Sequence, residues 1–156
     1  MTSFPHLDST GQARMVDVAA KAVTERSATA TGLLRTSGEV VELLRGRGVP
    51  KGDALAVARI AAIAGTKRTA DLIPLCHPIR LDGVDVELEV TDDGVAIAVT
   101  CRATDRTGVE MEALTGVAVA GLALHDMVKA VDPAAVLTDV KLTAKTGGRS
   151  GDWFRE

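Results

Sequence analysis

Four stretches of the chain alternate apolar residues with others at period two, the pattern of strands with one covered face. In residues 22–34, Ala22, Thr24, Arg26, Ala28, Ala30, Gly32 and Leu34 share a face, which sets Arg26 among small side chains. Val84, Val86, Leu88 and Val90 alternate with Asp85, Glu87 and Glu89, and Val95, Ile97, Val99 and Cys101 alternate with Ala96, Ala98 and Thr100. Asp92, Asp93 and Gly94 between these two runs have hairpin-turn chemistry. Val136, Thr138, Val140, Leu142 and Ala144 predict a last strand, and residues 15–18 (MVDV) read as a short extended piece.

Between the strands the period changes. Residues 107–132 predict a long helix whose centre, 113–124, is almost wholly small or aliphatic and whose ends carry Glu110, Glu112, Asp126 and Lys129. That apolar centre is shorter than the roughly 20 residues needed to cross a bilayer, so a core helix is expected. Thr107 and Glu110 have capping-box spacing, as do Thr36 and Glu39 ahead of a short helix over 40–45. Asp53 suits the N-cap of a further buried helix running from Ala54 to about Ala70. Strand, helices, hairpin, long helix and strand in that order predict an α+β fold: a ferredoxin-like antiparallel sheet with helices packed on one face.

Several polar positions admit both a functional and a plain structural reading. Asp126 and Lys129 are three apart on one helix face, as a surface ion pair or as a working pair. Glu112 lies near the same face as Asp126 but about 21 Å along the axis at 1.5 Å per residue. One straight helix therefore cannot bring both to a single bond of a small substrate. Lys51 sits in a Pro-Gly turn at a helix mouth, either solvated or meeting an anion. His77 is held between Pro74 and Pro78 on an extended support, as a structural or a functional histidine. The tail Lys145-Thr-Gly-Gly-Arg-Ser-Gly151 can wrap an anion with backbone N–H groups, although it lacks the context of a P-loop.

Composition narrows the function classes. A chain of 156 residues suits one domain, here a flexible arm over 1–14 followed by a single domain over 15–156. With no Tyr, two Phe and one Trp, a base-stacking RNA sheet is disfavoured. The net charge of −3 argues against a nucleic-acid or membrane-surface binder but leaves room for a local basic pocket. No secretory signal precedes the strands, and Cys76 and Cys101 form no CxxC motif, so reduced thiols and a cytoplasmic location are expected. His6, His77 and His125 share no ligand spacing, and no protein-held metal is expected.

The runs LIPLCHP and GVEMEAL, within the longer segments 51–79 and 107–131, together with MVDV at 15–18 and the tail at 145–151, resemble the cyclic pyranopterin monophosphate synthase family of molybdenum cofactor biosynthesis. The resemblance spans residues 5–152. It implies a lyase that converts 3′,8-cyclised dihydro-GTP to cyclic pyranopterin monophosphate and releases diphosphate. It further implies no cofactor, and a homohexamer built as a trimer of dimers with sites at subunit interfaces. Carried over residue by residue, Asp126 is catalytic, with Lys51 and Lys129 beside it. Leu75, Cys76, His77, Glu110 and Met111 bind substrate, Lys21 and Arg26 lie near the triphosphate, and Glu112 lies near the purine-derived ring. This chain departs from the family pattern at Arg106, His125, Thr146 and Arg149. The rival readings are a non-catalytic ferredoxin-like sensor of nucleotides or pterins, and a nucleotide hydrolase, which no P-loop or metal motif supports.

Overall fold

The computed structural model describes residues 4–46, 49–50 and 52–156. The elements run β1 (Thr24–Arg35), α1 (Gly38–Arg45), α2 (Ala54–Thr66), α3 (Thr69–Leu72), β2 (Gly83–Thr91), β3 (Gly94–Asp105), α4 (Glu110–Val128), β4 (Val136–Thr146) and β5 (Trp153–Phe154). The strands form one antiparallel sheet in the order β2-β3-β1-β4-β5, with the helices packed against it. This is the α+β, ferredoxin-like arrangement that the pattern predicts.

Alternation decides which face is covered. Ala28, Ala30 and Leu34 of β1 and Val95, Ile97, Val99 and Cys101 of β3 are buried on the helix side. Asp85, Glu87 and Glu89 of β2 point the other way and are exposed, with Asp85 paired to Arg102. At the β2–β3 hairpin Gly94 has φ 148° and no room for a side chain, because a Cβ there would run into the Leu34 carbonyl.

Helix α4 is long and apolar enough to cross a membrane on length and composition alone. Here it is the central helix of the core, with Ala113, Val117, Ala120 and Leu124 fully buried between the sheet and α2. Glycines set how closely it approaches. A Cβ at Gly32 would sit 2.7 Å from Val117 Cγ1, and one at Gly65 would sit 2.8 Å from Val119 Cγ2. With so few aromatic residues, close backbone approach substitutes for bulk in filling the interior.

Helix starts show where local spacing misleads. Asp53 caps α2 as expected, its carboxylate accepting from Ala56 N at 3.0 Å. For α1 the cap is Ser37 rather than Thr36, and both are tied to Asp132. The Asp132 carboxylate accepts from Thr36 Oγ1 at 2.8 Å and from Ser37 N at 2.9 Å. For α4 the Thr107 box does not form: the N-cap is Val109, without a side-chain cap. Glu110 turns instead to Lys145, at 3.4 Å, because an ion pair with the tail competes for the same carboxylate.

Other boundaries shift for similar reasons. Helix α2 stops at Thr66 and not near Ala70. The hydroxyls of Thr66 and Thr69 donate back to the Ile63 and Thr66 carbonyls, taking acceptors that a continued helix would use. Residues 15–18 join no strand, and β1 begins at Thr24. The register of β4 on β1 slips twice, and Asp139 takes φ 55°. The even-numbered face predicted for β4 is therefore not kept. Val136 and Val140 are exposed, while Leu137 packs over Gly121.

A Cβ at Gly116 would lie 2.8 Å from Thr66 Cγ2 and 2.9 Å from Val99 Cγ1. Helix propensity alone favours replacing that glycine. Gly116→Val is nevertheless expected to lower stability by about 1–3 kcal/mol through overpacking. An unchanged or raised denaturant midpoint would show that α4 sits further from α2 and β3 than described.

Candidate active site

A cleft of about 260 Å³ opens at the N-terminal end of α4. The first turn of α4 supplies Glu110, Met111 and Glu112, and the segment after α3 supplies Leu75, Cys76 and His77. The chain before β1 adds Val16, Val18 and Lys21, and the N-terminal arm adds Pro5 and His6. Seven of the residues singled out in the sequence thus meet in one cleft. A second cleft, of about 590 Å³, adjoins it through shared Lys21, Thr107, Gly108 and Glu110, and is lined further by Arg26, Arg149 and Ser150. The two make one open groove with a largely aliphatic end and a basic end.

Local structure explains each placement. The proline-bracketed segment presents His77 with Nε2 2.6 Å from the Val16 carbonyl, which ties residues 15–18 to the cleft wall without any strand pairing. Arg26 donates from Nε to the Asp105 carbonyl at 3.1 Å and from Nη2 to the Arg106 carbonyl at 3.2 Å. Gly147 and Gly148 have φ 82° and 81°, and a side chain at Gly148 would run into the Arg26 guanidinium. The tail can therefore cross β1 over Arg26 only as a pair of glycines. Lys145 Nζ then reaches Glu110 at 3.4 Å and Ser150 Oγ at 3.1 Å. The basic end has cations and an N–H-rich loop suited to phosphate oxygens.

The aliphatic end holds an acid of altered strength. Glu112 is only 3% exposed. Burial pushes its carboxyl up to about 7; its own backbone N–H works the other way, and the charges of Glu110 and Asp105 add to the rise. A carboxyl poised near neutrality can hold or release a proton at little cost, as general acid–base chemistry requires. Burial, and after it Glu112, push the Cys76 thiol up. Cys101, in the core, is pushed up to about 12 for the same two leading reasons. Both cysteines are free thiols. The Thr107 hydroxyl is buried without a hydrogen-bond partner among the described residues.

Asp126 and Lys129 lie at the other end of α4. Their side chains pair at 2.7 Å, and both are about half exposed. By helix rise Asp126 stands about 21 Å from Glu112 and Lys129 about 25 Å, so within one chain they do not join the cleft. Lys51 lies outside the described residues. Its neighbour Gly52 faces Met127, where a Cβ would be 3.9 Å from the methionine methyl. Among the described residues, no group of three or more His, Cys, Asp or Glu side chains is arranged to hold a metal ion. Sequence reading missed the Val16 carbonyl, and it took Thr107 only as a helix cap and His6 only as a histidine without ligand spacing. The first two act through backbone position or loop packing, and His6 carries no local pattern.

The raised Glu112 carboxyl makes stability depend on pH with a definite sign. The native state holds this proton more tightly than the unfolded chain, whose ordinary value is 4.5. The cost of ionising Glu112 is therefore absent below about pH 4.5, develops up to about 7, and is fully present above. Glu112→Gln should gain stability relative to the unmodified protein as pH rises from about 5 to 8. Denaturant melts of both proteins across that range check this, and a difference independent of pH would contradict it.

The family model described as the MoaC family matches residues 15–148. A protein of Streptomyces coelicolor named cyclic pyranopterin monophosphate synthase is 64% identical over 150 residues, covering 96% of this chain and 88% of that one. One from Nocardioides sp. with the same name is 63% identical over 153 residues, covering 96% of this chain and 94% of that one. Cyclic pyranopterin monophosphate synthase 2 of Mycobacterium tuberculosis is 57% identical over 150 residues, covering 96% and 90%. The match takes in most of the groove lining, from Val16 to the Gly147-Gly148 pair, with Pro5, His6, Arg149 and Ser150 outside it, and the chain belongs to the MoaC family.

Proposed function

We propose that this protein is a cyclic pyranopterin monophosphate synthase. It is a lyase of molybdenum cofactor biosynthesis that rearranges 3′,8-cyclised dihydro-GTP and releases diphosphate. The observation that carries this reading is the two-ended groove: a buried, near-neutral carboxyl at the aliphatic end and Lys21, Arg26 and Arg149 at the basic end. That layout matches a ring that must exchange protons joined to a chain of phosphates. Family membership and the names of the relatives support it.

In this reading the ring lies among Leu75, Cys76, His77, Glu110, Met111 and Glu112. Glu112 moves protons at the ring edge or hydrogen-bonds it in its neutral form. Lys21 and Arg26 neutralise the triphosphate and stabilise the charge that gathers on departing diphosphate. Arg26 is suited to this because its Nε and Nη2 are already anchored to the Asp105 and Arg106 carbonyls, which fixes the plane of the guanidinium. Asp126, with Lys129 and Lys51, carries the remaining proton transfers. Their separation from the cleft along α4 supports a site completed by a second subunit, in a homohexamer arranged as a trimer of dimers. Residues 15–156 act as one catalytic domain, in the cytoplasm and without a resident cofactor.

Turnover of 3′,8-cyclised dihydro-GTP by the purified protein, with pterin product and diphosphate followed together, tests the assignment. Both products are expected, and binding without either would contradict it. Asp126→Asn is expected to lower kcat by about 10²-fold or more, the usual scale for losing a general acid–base group. Turnover that survives in the variant would move that role elsewhere. Mixing Asp126→Asn with Lys21→Ala chains under conditions that exchange subunits should restore about a quarter of wild-type activity. Half of randomly formed dimers are then mixed, and each has one intact site in two. No recovery would mean that each chain holds a whole site.

A further inference from the structure

Two histidines line the aliphatic end of the groove, and among the described residues only His77 finds a hydrogen-bond partner for its ring. His77 is held by the Val16 carbonyl. His6 belongs to the same wall, yet its ring makes no hydrogen bond to any described residue.

The arm that carries His6 is a built turn. The Asp8 carboxylate accepts from Thr10 N at 2.8 Å, Thr10 Oγ1 at 2.7 Å and Gln12 N at 3.0 Å. Leu7 bridges Ala13, Arg14 N donates to the His6 carbonyl at 2.8 Å, and Arg14 Nε donates to the Pro5 carbonyl at 3.3 Å. These bonds fix the backbone on both sides of His6, an exposed residue and the one polar side chain that the arm contributes to the cleft lining. His6 lines the aliphatic end with Leu75, Ile79 and Met111, and it does not line the basic end with Arg26 and Arg149.

We propose that His6 is a ligand-contacting residue of this site, and that its imidazole hydrogen-bonds the polar edge of the ring held at the aliphatic end. The proposal rests on the synthase reading for the identity of that ring. An imidazole offers one donor and one acceptor when neutral. A purine-derived edge presents N–H, ring nitrogen and carbonyl groups that such a pair can match. The position away from Arg26 and Arg149 assigns His6 to the ring and not to the phosphates.

The test compares binding of two probes, GTP and inorganic tripolyphosphate, by calorimetry, alongside KM and kcat for 3′,8-cyclised dihydro-GTP. His6→Ala is expected to weaken GTP about tenfold, the scale of one lost hydrogen bond, and to leave tripolyphosphate unchanged. KM should rise by a similar factor while kcat stays within about threefold. His6→Gln, which keeps a donor and an acceptor, should recover most of the loss, and His6→Phe should not. Asp8→Ala, whose side chain lies in the turn and not in the cleft wall, should reproduce part of the GTP loss by loosening the arm.

Unchanged GTP affinity in His6→Ala overturns the proposal, as does an equal loss for both probes or recovery by Phe in place of Gln. Wild-type protein that binds GTP without turning over the cyclised substrate refutes the synthase reading, while the two-probe comparison still decides the role of His6. Wild-type protein that binds neither probe overturns both.

Discussion

Helix α4 approaches β1 and α2 so closely that Gly32, Gly65 and Gly116 have no room for a methyl group, and this close packing governs the rest of the molecule. It makes up for a core nearly free of aromatic rings, and it seals the helix between the sheet and α2. The same packing buries Glu112 in the first turn of α4, where carboxylates are otherwise common and usually solvated. Burial there supplies the near-neutral carboxyl of the cleft. A looser α4 would admit water to Glu112 and return it toward an ordinary glutamate. Stability and chemistry thus draw on one set of contacts.

A rigid helix also imposes a separation. Glu112 and Asp126 are fixed at opposite ends of α4, and no loop movement within one chain brings them together. The groove at the first end is rich in walls and cations, whereas the second end presents Asp126 paired with Lys129 on a half-exposed surface. The proposed completion by another subunit would reconcile these two ends with a single substrate.

How much of this was legible in the chain depends on the range of the interaction concerned. Strands β1 to β4 and the hairpin at Asp92 and Asp93 were legible from alternation, because a covered face imposes period two, whereas the two-residue β5 is too short to show a period. The Asp53 cap was legible for the same local reason. The Thr107–Glu110 box failed because Lys145, distant in sequence, reaches Glu110, and β4 lost its predicted face to bulges that leave no mark in an alternating pattern. Of the site, the clustering of Leu75, Cys76, His77, Glu110, Met111 and Glu112 was readable from the family resemblance, as was the place of Arg26, whose period-two face alone fitted a cleft and a sheet margin equally well. The tie between His77 and the Val16 carbonyl was not, since any residue can present a carbonyl. His6 was silent because a lone histidine in a polar arm has no pattern to join.

The central claim is that one substrate is held between the cleft of one chain and the Asp126 end of another. A crystal structure of the assembled protein with 3′,8-cyclised dihydro-GTP bound, in an Asp126→Asn background that slows turnover, tests it most directly. The account predicts the ring beside Glu112 and the phosphates beside Lys21 and Arg26, with position 126 of a neighbouring subunit facing the same molecule. A structure in which position 126 and Glu112 line unrelated pockets, in every pair of subunits, would contradict it.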